Sequence, residues 1–118
     1  DVFSYFEEPS EEFDLIVIDP PAFVKHRGAL DSGLRGYSQL NTFAFSKVKT
    51  PGIVFSFSCS QAVSREDFKR VVSEAAVRSG REVTILHELH QAHWHPVSLS
   101  FPEAEYLKGY VLAVRERR

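Results

Sequence analysis

Phe13-Asp14-Leu15-Ile16-Val17-Ile18 runs into Asp19-Pro20-Pro21, and the reading of this stretch decides the fold. It is a continuous apolar run, β-branched at Ile16, Val17 and Ile18, that follows the turn-prone Glu8-Pro9-Ser10, and it reads as a buried strand. The prolines end it, because proline lacks the ladder donor and restricts the residue before it. A second run of the same kind, Ile53-Val54-Phe55-Ser56-Phe57, stops at Ser58-Cys59-Ser60. In a parallel α/β sheet, neighbouring strands end side by side, about 4.8 Å apart, and ligands bind along that carboxyl rim. Asp19 on one strand end and Cys59, the only thiol, on the next then form a candidate active site.

The segments between and beyond these runs fill in an α/β order. Residues 22–36 hold Gly28, Gly33 and Gly36 among several charges and read as a loop that opens a helix near Leu30. From Tyr37 to about Val48, the positions Leu40, Phe43, Ala44 and Val48 follow helical spacing. Thr50-Pro51-Gly52 reads as a turn that stops this helix before a strand over 53–58. Ser64-Arg65-Glu66-Asp67 resembles a capping box. Phe68, Val71, Val72, Ala75 and Ala76 then mark an amphipathic helix ending at Gly80. Glu82–Glu88 alternates apolar and polar residues as a third strand, and Tyr106–Val114 is the last. The irregular stretch 90–106, rich in His, Pro and Ser, is too long for a plain turn and points to function. The whole order argues one α/β domain over residues 1–118.

Composition narrows the classes of function. The 118 residues are 43% hydrophobic and 25% charged, as in a globular domain with a real core. A net charge of −2 gives no global pull toward nucleic acid, so RNA affinity has to come from local patches such as Lys25-His26-Arg27. One cysteine excludes an intrachain disulfide and suits a reducing cytoplasm. No run approaches the roughly 20 apolar residues that span a bilayer. The chain has no methionine and opens on Asp1-Val2-Phe3, so it reads as a piece cut from a longer protein.

Several motifs together carry a family resemblance. Phe13 to Lys25, Leu34-Arg35-Gly36-Tyr37, Leu40-Asn41, Phe57-Ser58-Cys59-Ser60, Gln91-Ala92, His95-Pro96 and Tyr106-Leu107-Lys108-Gly109 are the stretches concerned. They resemble the class I, S-adenosylmethionine-dependent rRNA cytosine-5 methyltransferases of the RlmI type. The motifs are weak singly, and it is their order and spacing that is specific. The resemblance implies the C-terminal half of a Rossmann-like sheet, strands four to seven. Two parallel strands are followed by an antiparallel pair, and the glycine-rich loop for the methyl donor lies outside the chain. It also implies ribosomal RNA as partner and S-adenosylmethionine as cofactor, held here weakly or not at all. Asp1, Val2, Asp19 and Pro20 are the cofactor-side positions. Cys59 is the nucleophile and Asp19 its catalytic companion, with Pro21, Phe23, Lys25, Arg35 and His95 toward the substrate. A strand at 13–18 robbed of its neighbour would also expose an edge that favours self-association.

Each assignment has a plainer rival. A lone cysteine at a strand end is commonly a small buried hydrophobe, and Asp19 alone could cap the following turn. Lys25, Arg27 and Arg35 suit RNA phosphates or a solvated face equally well. Tyr37 suits base stacking less well than packing. His87, His90, His93 and His95 do not have the spacing of a zinc site, so no metal is expected. His93-Trp94 departs from the family, which usually carries an acidic residue just before His-Pro. Asp-Pro-Pro also opens the active site of amino-group methyltransferases, but those place an aromatic residue directly after the prolines, where this chain has Ala22. The competing readings are an amino-group or small-molecule methyltransferase of the same fold, and a non-enzymatic fragment that binds RNA or protein.

Overall fold

The computed structural model describes residues 13–20, 28, 30–60, 62–90 and 107–116. Strand β1 (Phe13–Ile18) coincides with the first apolar run. Helix α1 (Leu30–Lys47) is longer than the sequence spacing suggests and takes Gly33 and Gly36 inside it. Glycine costs a helix about 1 kcal/mol relative to alanine. Here Leu34, Tyr37, Leu40, Ala44 and Phe45 are all buried along one face, and that burial outweighs the penalty. Asp31 in the first turn and Lys47 in the last complement the helix dipole.

Strand β2 (Val48–Ser58) corrects the reading of Thr50-Pro51-Gly52 as a turn ahead of the strand. β1 pairs with it in parallel from Phe13↔Val48, then jumps to Leu15↔Ile53, so the turn is looped out inside the strand. A Cβ on Gly52 would run into the Lys49 carbonyl and the Val48 side chain, which leaves room only for glycine in this loop. The Thr50–Pro51 peptide is cis.

Helix α2 (Arg65–Ser79) is capped as the sequence foretells. The Ser64 hydroxyl accepts from the Asp67 amide at 3.0 Å, and Gly80 closes the helix at φ 71°. Strands β3 (Arg81–Leu89) and β4 (Lys108–Glu116) follow. β4 inserts between β2 and β3, antiparallel to both, giving the order β1-β2-β4-β3. Two parallel strands plus an antiparallel pair is the arrangement that the resemblance implies.

One core joins the sheet to both helices. Val54 of β2, Leu112 and Val114 of β4, Phe45 of α1 and Phe68 of α2 are all fully buried. Phe68 stacks on Tyr110 at 5.5 Å between centroids and meets Tyr37 edge-on at 6.1 Å. Tyr37 is thus a packing residue. Leu15 and Val17 of β1, by contrast, are 53% and 56% exposed.

Candidate active site at the carboxyl rim of the sheet

β1 and β2 are adjacent and parallel, and Ile18 pairs with Ser56 at their carboxyl ends. Continuing that register puts Asp19 level with Phe57. Cys59 then stands two residues further up the neighbouring strand, about 8 Å from Asp19 backbone to backbone. A backbone separation of that size leaves room for a substrate group between the two strand ends. Asp19 is exposed, Pro20 half-buried, and Cys59 a free, half-buried thiol.

The turn that carries Cys59 is held on both sides. Ser56, Ser58 and Ser60 alternate toward the protein interior and are each buried. The Ser56 hydroxyl donates to Asn41 Oδ1 at 2.6 Å, and the Ser58 hydroxyl donates to the Tyr37 hydroxyl at 3.1 Å. Asn41 is itself fixed, donating through Nδ2 to the Tyr37 carbonyl at 2.8 Å. Beyond the thiol, the Ser60 amide donates back to Ser58 Oγ at 3.4 Å. The Ser60 carbonyl accepts from the Val63 amide at 3.3 Å and from Lys108 Nζ at 3.0 Å. A buried polar group costs free energy unless it is paired, and here each serine is. The repeated serines are therefore structural, fixing where the thiol stands.

β4 closes the other side of this turn. Lys108 pairs with Ser58 across the ladder, and its side chain is buried at 5% exposure. Burial lowers its proton affinity and nearby Arg65 lowers it further, while Cys59 acts in the opposite sense. Arg65 reaches the Leu107 carbonyl at 3.4 Å and Glu88 at 3.7 Å. Next along β4, Gly109 lies so close to the Phe57 ring that a Cβ there would overlap it. Burial, and then Glu88, raise the proton affinity of Tyr110. Lys108 and the serine contacts escaped sequence reasoning. The signal for them is the Ser-x-Ser-x-Ser alternation, unusual in a buried strand, facing a lysine at the start of an apolar one.

Arg35 goes elsewhere. It lines a cleft of about 210 Å³ between α1 and α2, with Asp31, Ser38, Arg70, Glu74 and Arg78. Asp19, Pro20 and Cys59 are not among the residues lining it. Asp1, Val2, Pro21, Phe23, Lys25 and His95 lie outside the described residues. His87 and His90 are exposed, and among the described residues no three potential metal ligands gather.

In fold, the sheet is like that of S-adenosylmethionine-dependent methyltransferases of solved structure. The chain superposes on a SAM-dependent methyltransferase from Streptococcus mutans with a TM-score of 0.79. It is 21% identical to that protein, over 97% of this chain and 29% of the other. A methyltransferase complexed with SAH gives a TM-score of 0.77 at 20% identity, over 97% and 30%. In sequence the likeness is narrower. The chain is 41% identical over 107 residues to the ribosomal RNA large subunit methyltransferase I of Tolumonas auensis, covering 91% of this chain and 27% of that protein. The protein of the same name from Alteromonas mediterranea is 38% identical over 111 residues, 94% and 28% of the respective lengths. That from Shewanella frigidimarina is 41% identical over 117 residues, 97% and 30%. The chain therefore spans less than a third of the length of these relatives. No protein-family model matches it.

Proposed function

We propose that this chain is the C-terminal part, strands four to seven, of the catalytic domain of an S-adenosylmethionine-dependent methyltransferase acting in the cytoplasm on cytosine carbon 5 of ribosomal RNA. One observation carries the reading. Identity near 40% to ribosomal RNA large subunit methyltransferases I runs through nearly the whole chain, including the strand ends that bear Asp19 and Cys59. Among the described residues no helix is long and apolar enough to cross a membrane.

The chemistry follows from the residues on the rim. Carbon 5 of cytosine is a poor nucleophile until a thiolate adds to carbon 6 and makes the ring enamine-like. Cys59 forms that bond. Asp19, across the gap, accepts a hydrogen bond from the exocyclic amine or the ring nitrogen and offsets charge that develops on addition. S-adenosylmethionine, when bound, supplies the electrophilic methyl group. An exposed carboxylate followed by a half-buried proline at a parallel strand end fits the polar side of such a donor. Loss of the proton from carbon 5 returns the electron pair to the ring and expels the Cys59 sulfur. Pro20 is at the strand end where a base turned out of its stack would enter, and Pro21 and Phe23 are the next substrate-side positions in the sequence. Lys25, Arg35 and His95 are the remaining substrate-side positions, and Asp1 and Val2 the remaining cofactor-side ones. Arg35, in the cleft between the helices, serves RNA outside the reaction pocket. β1, whose pairing among the described residues is with β2 alone, presents the edge through which the chain self-associates.

The test is the position of the transferred methyl group. Full-length protein, S-adenosylmethionine and ribosomal RNA are expected to give a cytosine resistant to bisulfite. A methyl group on the exocyclic amine would instead support the amino-group reading.

A further inference from the structure

Ser38 of α1 is buried at 3% exposure, yet its hydroxyl proton has no acceptor among the described residues. Thr42, Ser46 and Ser73, elsewhere in the two helices, each donate to the carbonyl four residues back at 2.7–2.8 Å. Ser38 instead accepts from Arg78 of α2 at 3.4 Å and lines the cleft of about 210 Å³ between the helices. We propose that this cleft is a phosphate site for the RNA strand. Arg35 and Arg78 meet the phosphate charge, and Ser38 donates to a phosphate oxygen. The proposal rests on the reading of ribosomal RNA as substrate and names a contact for it away from the reacting base.

The charge balance points the same way. Arg35 and Arg78 are exposed, and neither forms an ion pair among the described residues. Arg70, the third guanidinium on the cleft, is already engaged by Asp67 at 3.4 Å and Glu74 at 4.0 Å. The carboxylates that line the cleft are Asp31 and Glu74, so three cations face two anions. Glu74 is drawn toward Arg70, and Asp31 stands in the first turn of α1, where the helix dipole offsets its charge. Unpaired arginines beside a buried donor suit a phosphate, which accepts several charge-assisted hydrogen bonds at once. Position favours RNA over an acidic protein segment. α1 leads into β2, which is parallel to β1, and α2 follows β2, so both helices start at the carboxyl rim with Asp19 and Cys59. Arg35 is five residues into α1, about 7.5 Å along its axis. A strand whose base enters at the rim has the cleft within reach.

Filter binding of the full-length protein to an unmodified ribosomal RNA transcript, repeated over a series of salt concentrations, tests the site. Each lost phosphate contact lowers the slope of log affinity against log salt by roughly 0.7 on a single strand. Arg35→Gln and Arg78→Gln should each lower it by about that much and weaken binding about tenfold. Ser38→Ala, which removes a donor but no charge, should weaken binding about threefold and leave the slope alone. Lys69→Gln, at an exposed position of α2 outside the cleft, should change neither. Arg35 is exposed, so the fold tolerates its replacement. An Arg35→Gln slope equal to the parent's would overturn the proposal and leave the cleft to an acidic protein segment. An equal drop in Lys69→Gln would also overturn it, as a general effect of charge. The assay uses no methyl donor. A negative result here leaves the cytosine reading standing, and that reading fails separately on the position of the methyl group.

Discussion

Tyr110 links the chemistry of the rim to the stability of the core. It stacks on Phe68 with planes 6° apart, and its hydroxyl is held protonated beyond the ordinary tyrosine value of 10.0 by burial and Glu88. Above about that pH the unfolded chain releases the proton first, so it binds fewer protons than the folded chain, and stability falls as pH rises. Lys108 has the opposite sign. Its proton affinity is lowered, so on approach to its ordinary value of 10.5 the folded chain is the one with fewer protons, and stability rises with pH. Urea unfolding of Tyr110→Phe should therefore lack the loss of stability expected above about pH 10 in the parent chain. An unchanged alkaline loss would place its origin elsewhere. Asp19 and Cys59 stand out in the sequence because each follows a recognisable apolar run, and the structure shows that those two runs are adjacent parallel strands. Lys108 does not, because its partner Ser60 is 48 residues away in the chain and only the antiparallel register brings them together.

At the scale of elements, α2 shows how much local sequence can specify. Its N-cap, apolar stripe and closing glycine were all readable, since each acts over a few residues. Ser64→Ala should cost about 1 kcal/mol by freeing the Asp67 amide. Gly80→Ala should cost about 1–2 kcal/mol from the left-handed backbone alone, because no atom lies within 4 Å of the added Cβ. Thermal melting would check both, and a Gly80→Ala chain as stable as the parent would contradict the strained cap. α1 and β2 were only half legible. Gly33 and Gly36 argue for a loop locally, and it is the buried face from Leu34 to Phe45 that makes the segment helical. Thr50-Pro51-Gly52 does turn, but β1 pairs on both sides of it, a fact the turn residues do not carry.

For the molecule as a whole, the strand order β1-β2-β4-β3 follows from an apolar parallel pair and an antiparallel pair that closes on it. The resemblance supplied the parallel pair and the antiparallel pair, and periodicity only the elements; the insertion of β4 between β2 and β3 is added by the structure. The same order leaves β1 at an edge with Leu15 and Val17 more than half exposed. Light scattering on the 118-residue chain should find a self-associated species, weakened by Val17→Lys, which places a charge on that edge strand. A stable monomer would count against the edge as a contact surface. The central claim, however, is that Cys59 bonds to cytosine carbon 6 at a rim shared with Asp19. Full-length protein incubated with S-adenosylmethionine and ribosomal RNA carrying 5-fluorocytosine tests it most directly, because fluorine at carbon 5 blocks release of the enzyme. A covalent protein–RNA adduct that disappears in Cys59→Ala is expected; an adduct that persists in Cys59→Ala would rule Cys59 out as the nucleophile.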